Sequence, residues 1–135
     1  MPHPYRLDSS AGVLLGLAAE LGRDVLAPHA AETDAQARFP RENVDALAAQ
    51  GFLGLTVASE LGGSAQGPGV FAAVVEELAM HCGSTAMIYV MHVAATQAIS
   101  SSTTLGSRDT VLREIAAGGH LTTLAFSERG SRSQF

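Results

Sequence analysis

Residues 85–99 read TAMIYVMHVAATQAI, a run without an aspartate, glutamate, lysine or arginine. Cys82-Gly83 breaks the segment before it, and Ser84 is a natural helix cap. Wound as a helix, this run is apolar on nearly every side. A helix of that kind must be covered on most sides. It is expected to be the centre of a domain or the wall of a cavity, and the rest of the chain has to provide its cover.

The flanking segments have the right patterns to do so. Residues 69–81 place Val70, Phe71, Val74, Val75, Leu78 and Ala79 on one helical stripe, with Glu76 and Glu77 outside it or at its edge. Further upstream, Ser9 and Ser10 can cap a helix carrying Leu14, Leu17, Leu21 and Val25 at spacings of three and four. Pro28 should kink or end that helix, and a weaker pattern continues through Ala35. Pro40 suits the first position of another helix, with Val44, Leu47 and Ala48 inward and Gly51 as its C-cap. GFLGLTV, 51–57, reads as an extended buried connector, and SELGGSAQGPG, 59–69, as a glycine-rich loop.

After the central run, SSSTTLGS is a polar link, and Ser107 caps a last helix with Asp109 in its first turn. Val111, Leu112 and Ile115 face inward, and Gly118-Gly119 ends it. HLTTLAF, 120–126, then alternates as a strand, with Leu124 and Phe126 on one face and Thr123 and Ala125 on the other. The predicted fold is mainly α, a helical bundle-like domain with one terminal β-strand. A lone strand needs a ladder partner, and no good second strand lies upstream.

Composition bounds the function. The chain has 135 residues, enough for one domain with its own core. It is 47% hydrophobic and 16% charged, which excludes a disordered chain. Its net charge of -5 and scattered basic residues make a poor nucleic-acid surface. The apolar run 86–95 is broken by His92 and falls short of the roughly 20 residues that a membrane span needs. A single cysteine, Cys82, and the lack of a basic region followed by an apolar core near the start fit a cytoplasmic protein without a signal peptide.

Several chemistries can be weighed from residue types. GGSAQG has P-loop glycine spacing, but Pro68-Gly69 stands where the lysine and hydroxyl residue should follow. His81, Cys82, His92 and His120 lack the spacing of three or four that puts metal ligands on one helix face, so no metal site is expected. Glu76 and Glu77 point apart on a helix and make no acid/base pair. Met87 and Met91 share a face, either as core filler or as the wall of a ligand site. In AFSERGSRS, Ser127, Ser131 and Ser133 with Gly130 could cradle an anion, supported by Arg129 and Arg132, or could be a loose terminus.

Three stretches together carry a resemblance. RFPRENVDALAAQGFLGLTV, SELGGSAQGPGVFAAVVEELAMHCGSTAM and LAFSERGSRS, in this order, resemble the N-terminal part of the acyl-CoA dehydrogenase family. The last is similar to the Thr/Ser-Glu-Pro-Gly-x-Gly-Ser loop of that family, with Arg129 at the proline and Arg132 at the second glycine. The resemblance implies a helical domain over 1–119 and, over 120–135, the first strand and flavin loop of a middle β-domain. It implies FAD as cofactor, acyl-CoA as substrate, an electron-transfer flavoprotein or similar acceptor, and a tetramer in the complete enzyme. Leu124, Ala125, Phe126, Ser127, Gly130 and Ser133 would meet the flavin cofactor, and Ser133 also the CoA moiety. Ala86, Met87 and Val90 would line the acyl chain. The family's catalytic glutamate lies in a C-terminal domain, so no residue here is expected to be catalytic and the chain alone is expected to be inactive. The alternatives are an acyl-CoA oxidase or flavin monooxygenase of the same superfamily, or a helical interaction module without chemistry.

Overall fold

The structure, a computed structural model, describes residues 4, 5 and 7–125. Helix α1 spans Ser9–Leu21, and a turn of π-helix, Gly22–Leu26, leads into α2, Ala27–Gln36. Then come α3, Arg41–Ala49; two single turns of 3-10 helix, Phe52–Gly54 and Ser59–Leu61; α4, Pro68–His81; α5, Gly83–Ser100; and α6, Arg108–Ala116.

Asp8 is the N-cap of α1, where the sequence suggested Ser9 or Ser10. Its carboxylate accepts from the Ala11 amide at 2.9 Å and from the Ser10 hydroxyl at 2.7 Å. These bonds hold the Asp8 carboxyl below its usual pKa. Where a kink or an end was expected at Pro28, the chain stays helical, and a π-helical turn precedes the proline. The Ala27 amide reaches back five residues to the Gly22 carbonyl, and Pro28, in the first turn of α2, has no amide to donate. Gly22 sits against the His81 imidazole of α4, and a β-carbon there would lie 2.1 Å from His81 Cδ2. Only a glycine lets these two helices meet so closely.

The residues 85–99 do form the central helix. α5 packs against α4 and also meets α2, α3 and α6. The main core joins Leu26, Leu47, Phe52, Val74, Leu78 and Tyr89 with smaller neighbours. The Phe71 and Tyr89 rings, from α4 and α5, sit 6.0 Å apart between centroids. A second, smaller cluster of Val57, Leu112 and Ile115 holds α6 down. There a β-carbon on Gly54 would lie 2.7 Å from Ala116 Cα, so α6 rides directly on the turn at Phe52–Gly54.

Three local expectations change. Residues 51–57 are not extended but wind through turns whose carbonyls face α5 and the glycine-rich loop. Neither Ser84 nor Ser107 caps with its side chain: α5 starts at Gly83 behind Cys82, and Ser107 makes no capping bond. Among the described residues there is no strand. Residues 121–125 carry no regular structure, as expected of a strand-prone segment with no ladder partner.

Candidate functional site

The four buried polar side chains of α5 are all engaged inward. The Thr85 hydroxyl accepts from Asn43 Nδ2 of α3 at 2.8 Å and donates to Cys82 Sγ at 3.2 Å. The Tyr89 hydroxyl donates to the Phe52 carbonyl at 2.9 Å, and burial pushes its pKa far up. The Thr96 hydroxyl returns to the His92 carbonyl at 2.8 Å. His92 is fully buried, with Nε2 2.9 Å from the Leu53 carbonyl and Nδ1 accepting the Thr122 amide at 3.2 Å. A helix this apolar can bury four polar side chains because each finds a partner.

The outer side of α5 is different. Met87, Ile88 and Met91 form one wall of an apolar groove of about 310 Å³. Phe39, just before α3, closes one side, and Leu121, Thr122 and Thr123 close the other. Its rim is unusually apolar for a surface: Met87 is 62% exposed, Phe39 45% and Leu121 37%. Clustered exposed apolar side chains mark a surface meant to be covered by a ligand or a further part of a protein. A second groove of about 390 Å³ lies along Val90, Ala94 and Gln97, against Phe71 and Pro68. A third hollow runs between Ala95 and Ile99 of α5, Leu105 of the link to α6, and Thr122, Thr123 and Leu124. Residues 121–124 are thus the partition between two of these spaces.

The three candidate acyl-wall residues separate. Met87 lies on the first groove and Val90 on the second, while Ala86 is buried in the main core and reaches neither. Of the candidate cofactor contacts, Leu124 is half-buried beside α5 and Ala125 is exposed. Phe126, Ser127, Gly130 and Ser133 lie outside the described residues, as does the anion-cradle reading of that loop.

The glycine-rich loop folds back on the connector. The amides of Ser64, Ala65 and Gln66 bond to the carbonyls of Gly54, Val57 and Leu55 at 2.8–3.1 Å. These amides are spent on the fold and cannot also cradle a phosphate. The weighed metal ligands are dispersed: His81 Nε2 meets Glu77 at 3.2 Å, His120 meets Glu114 at 3.5 Å, and Cys82 is buried beside Thr85. Glu76 instead takes the Tyr5 hydroxyl. At the α2–α3 corner, Arg38 forks onto Glu42 at 2.6 and 3.1 Å and reaches Glu32 at 3.3 Å, holding the Glu42 carboxyl near a pKa of about 2.

Two site features went unseen in the sequence. Phe39 stands unremarked inside the stretch RFPRENVDALAAQGFLGLTV, yet it lines a groove. The double engagement of His92 needs Thr122 to fold back across 30 residues, and no local spacing announces that.

Comparison with known proteins places this arrangement. The family model described as the acyl-CoA dehydrogenase N-terminal domain matches residues 13–119. A probable acyl-CoA dehydrogenase of Mycobacterium leprae is 31% identical over 129 residues, which is 96% of this chain and 33% of that protein. Acryloyl-CoA reductase (NADH) of Anaerotignum propionicum has the same identity and coverage. The butyryl-CoA dehydrogenase structure from Megasphaera elsdenii superposes with a TM-score of 0.75 at 26% identity, over 85% of this chain and 31% of that one. The chain therefore spans about a third of the length of the curated relatives it matches. The match runs from within α1 through α6, across every helix that builds the core, and on that ground the chain belongs to the acyl-CoA dehydrogenase family, with the fold of its N-terminal helical domain.

Proposed function

We propose that this chain is the N-terminal portion of an FAD-dependent acyl-CoA dehydrogenase, and that it contributes one wall of the acyl pocket and the first contacts to the flavin. The observation that carries this reading is the groove on the outer face of α5, whose exposed rim of Phe39, Met87 and Leu121 adjoins the segment leading to the flavin loop. Residues 1–119 form the helical domain, and 120–135 begin a middle domain.

When bound, FAD accepts the hydride that leaves the β-carbon of the acyl chain. The chain's own residues act around that step. Met87, Ile88 and Met91 give the acyl chain an apolar surface and keep water from the reacting carbons. Leu124 and Phe126 offer backbone groups to the ring, Ser127 its hydroxyl, and Gly130 and Ser133 the turn and hydroxyl toward the pyrophosphate. The fit is supported by where the segment runs: Leu124 lies half-buried at the end of the partition, and Ala125 is exposed beyond it. Among the described residues, no carboxylate lines the groove. On this reading the base that takes the α-proton belongs to a further part of the enzyme, as the family resemblance implies, and the chain alone is expected to be inactive. An electron-transfer flavoprotein would reoxidise the flavin, in a cytoplasmic tetramer.

The test is anaerobic titration of the purified gene product carrying this chain with acyl-CoA thioesters of increasing length. Bleaching of the oxidised flavin band is expected. A product that holds no flavin after reconstitution with FAD, or whose flavin no thioester reduces, overturns the reading. The equal identity to a reductase supports a second direction, reduction of an enoyl thioester, which the same protein would reveal with a reduced flavin and enoyl-CoA.

A further inference from the structure

One ring joins three distant parts of the chain. His92 sits on the central helix α5; its Nε2 reaches the turn at Phe52–Gly54, and its Nδ1 reaches the segment that follows α6. The two bonds leave only one assignment of the proton. The Leu53 carbonyl can only accept, so Nε2 carries the hydrogen. The Thr122 amide can only donate, so Nδ1 carries the lone pair. The ring is then neutral, as burial also favours. It is one turn from Tyr89, whose hydroxyl binds the neighbouring carbonyl of the same connector. The Tyr89 hydroxyl, however, bonds only to the connector.

Thr122 is the residue through which the partition is held. It lines the groove of Met87 and Met91 on one side and the hollow of Ala95 and Ile99 on the other. Among the described residues, no ladder fixes 121–125. A backbone bond to a fully buried ring can fix them, because breaking it leaves an unpaired acceptor in the core. We propose that His92 is a positioning residue, which pins Thr122 so that residues 121–123 keep their place as the groove wall and the chain beyond is delivered to the flavin. The second half of this role rests on the flavoprotein reading above; the pin itself does not.

The test uses the 135-residue chain and two variants. His92→Leu fills the site but makes neither bond. His92→Gln can offer an N–H and an oxygen. In the wild-type chain, an NMR coupling across the hydrogen bond should join the Thr122 amide nitrogen to His92 Nδ1. In His92→Leu, amide exchange at Thr122 should accelerate about tenfold or more relative to Leu112 in α6, the effect of one lost bond to a buried group. His92→Gln should restore part of that protection. A missing coupling in the wild-type chain overturns the proposal. So do Thr122 and Leu112 rates that rise together in both variants, since His92 would then be core filler. These readouts need no cofactor or turnover, so they can fail while the flavin reading stands, and a flavin-free gene product fails that reading while leaving the pin intact.

Discussion

At the scale of single residues, the chemistry of this domain lies in how buried polar atoms are paired. His92 is neutral in the fold: burial lowers its pKa, nearby His120 adds to that, and the Leu53 carbonyl, which accepts from Nε2–H, pulls the other way. The unfolded chain has an ordinary histidine there and binds the proton more readily. Stability therefore falls as the pH drops through about 6.5 toward the lower folded value, with a slope of up to about 1.4 kcal/mol per pH unit for one proton. Denaturant titrations at pH 7.5 and 5.5 should show this loss, and His92→Gln should remove that share of it. Tyr89→Phe makes a related case. It keeps the ring and removes one of two donors on the Phe52 carbonyl, which still takes the Leu55 amide, for an expected loss of about 0.5–1.5 kcal/mol in the same titrations. None of this was legible beforehand. The sequence showed a histidine interrupting an apolar run, but its partners come from Leu53 and Thr122, 39 and 30 residues away. The cap of α1 failed for a humbler reason. Asp, Ser and Ser stand side by side, all three able to cap, and the carboxylate reaches Ala11 while Ser10 supports it.

At the scale of elements, α5 was the most legible part of the chain, because an uncharged helix this long must have most of its sides covered. What its pattern could not say is which neighbour covers which side. Ala86, Met87 and Val90 look equivalent as apolar positions, yet α3 and the core take Ala86, the partition borders Met87, and α4 with the glycine-rich loop borders Val90. The connector at 51–57 was misjudged because turns and strands share its glycine and apolar content. Only the carbonyls demanded by Tyr89, His92 and the loop amides reveal the turns. The separation of the wall residues has a measurable consequence. Met87→Asp puts a charge at a position already 62% exposed, so its effect on stability should be within about 0.5 kcal/mol. Binding of an apolar fluorescent dye by the groove should nevertheless drop several-fold. An equally exposed control, Val13→Asp on α1 at 67% exposure, should leave dye binding unchanged. Equal losses in both variants would mean that the dye reports general surface hydrophobicity and not the groove.

At the scale of the whole molecule, the domain has two unequal cores. The larger joins α1, α4 and α5 through Ala18, Val74, Leu78 and Tyr89. The smaller holds α6 on the connector through Val57, Leu112 and Ile115. They meet where Gly54 lets α6 ride on the turn, and that turn also gives His92 and Tyr89 their carbonyl partners. A methyl group at Gly54 strikes backbone, not the far end of a flexible side chain, so α6 must lift. Gly54→Ala should cost about 1–3 kcal/mol by overpacking. The loss should be uneven: amides of α6 should exchange faster than those of α4 and the middle of α5, since a small cluster opens before a large one. Leu78→Ala, which hollows the main core, should instead cost about 2–5 kcal/mol and speed exchange everywhere. If Gly54→Ala raised exchange equally in α4 and α6, the two clusters would be one cooperative unit. The seam at Gly54 would then transmit strain through the whole domain, and the partition held by His92 would share its fate with α6.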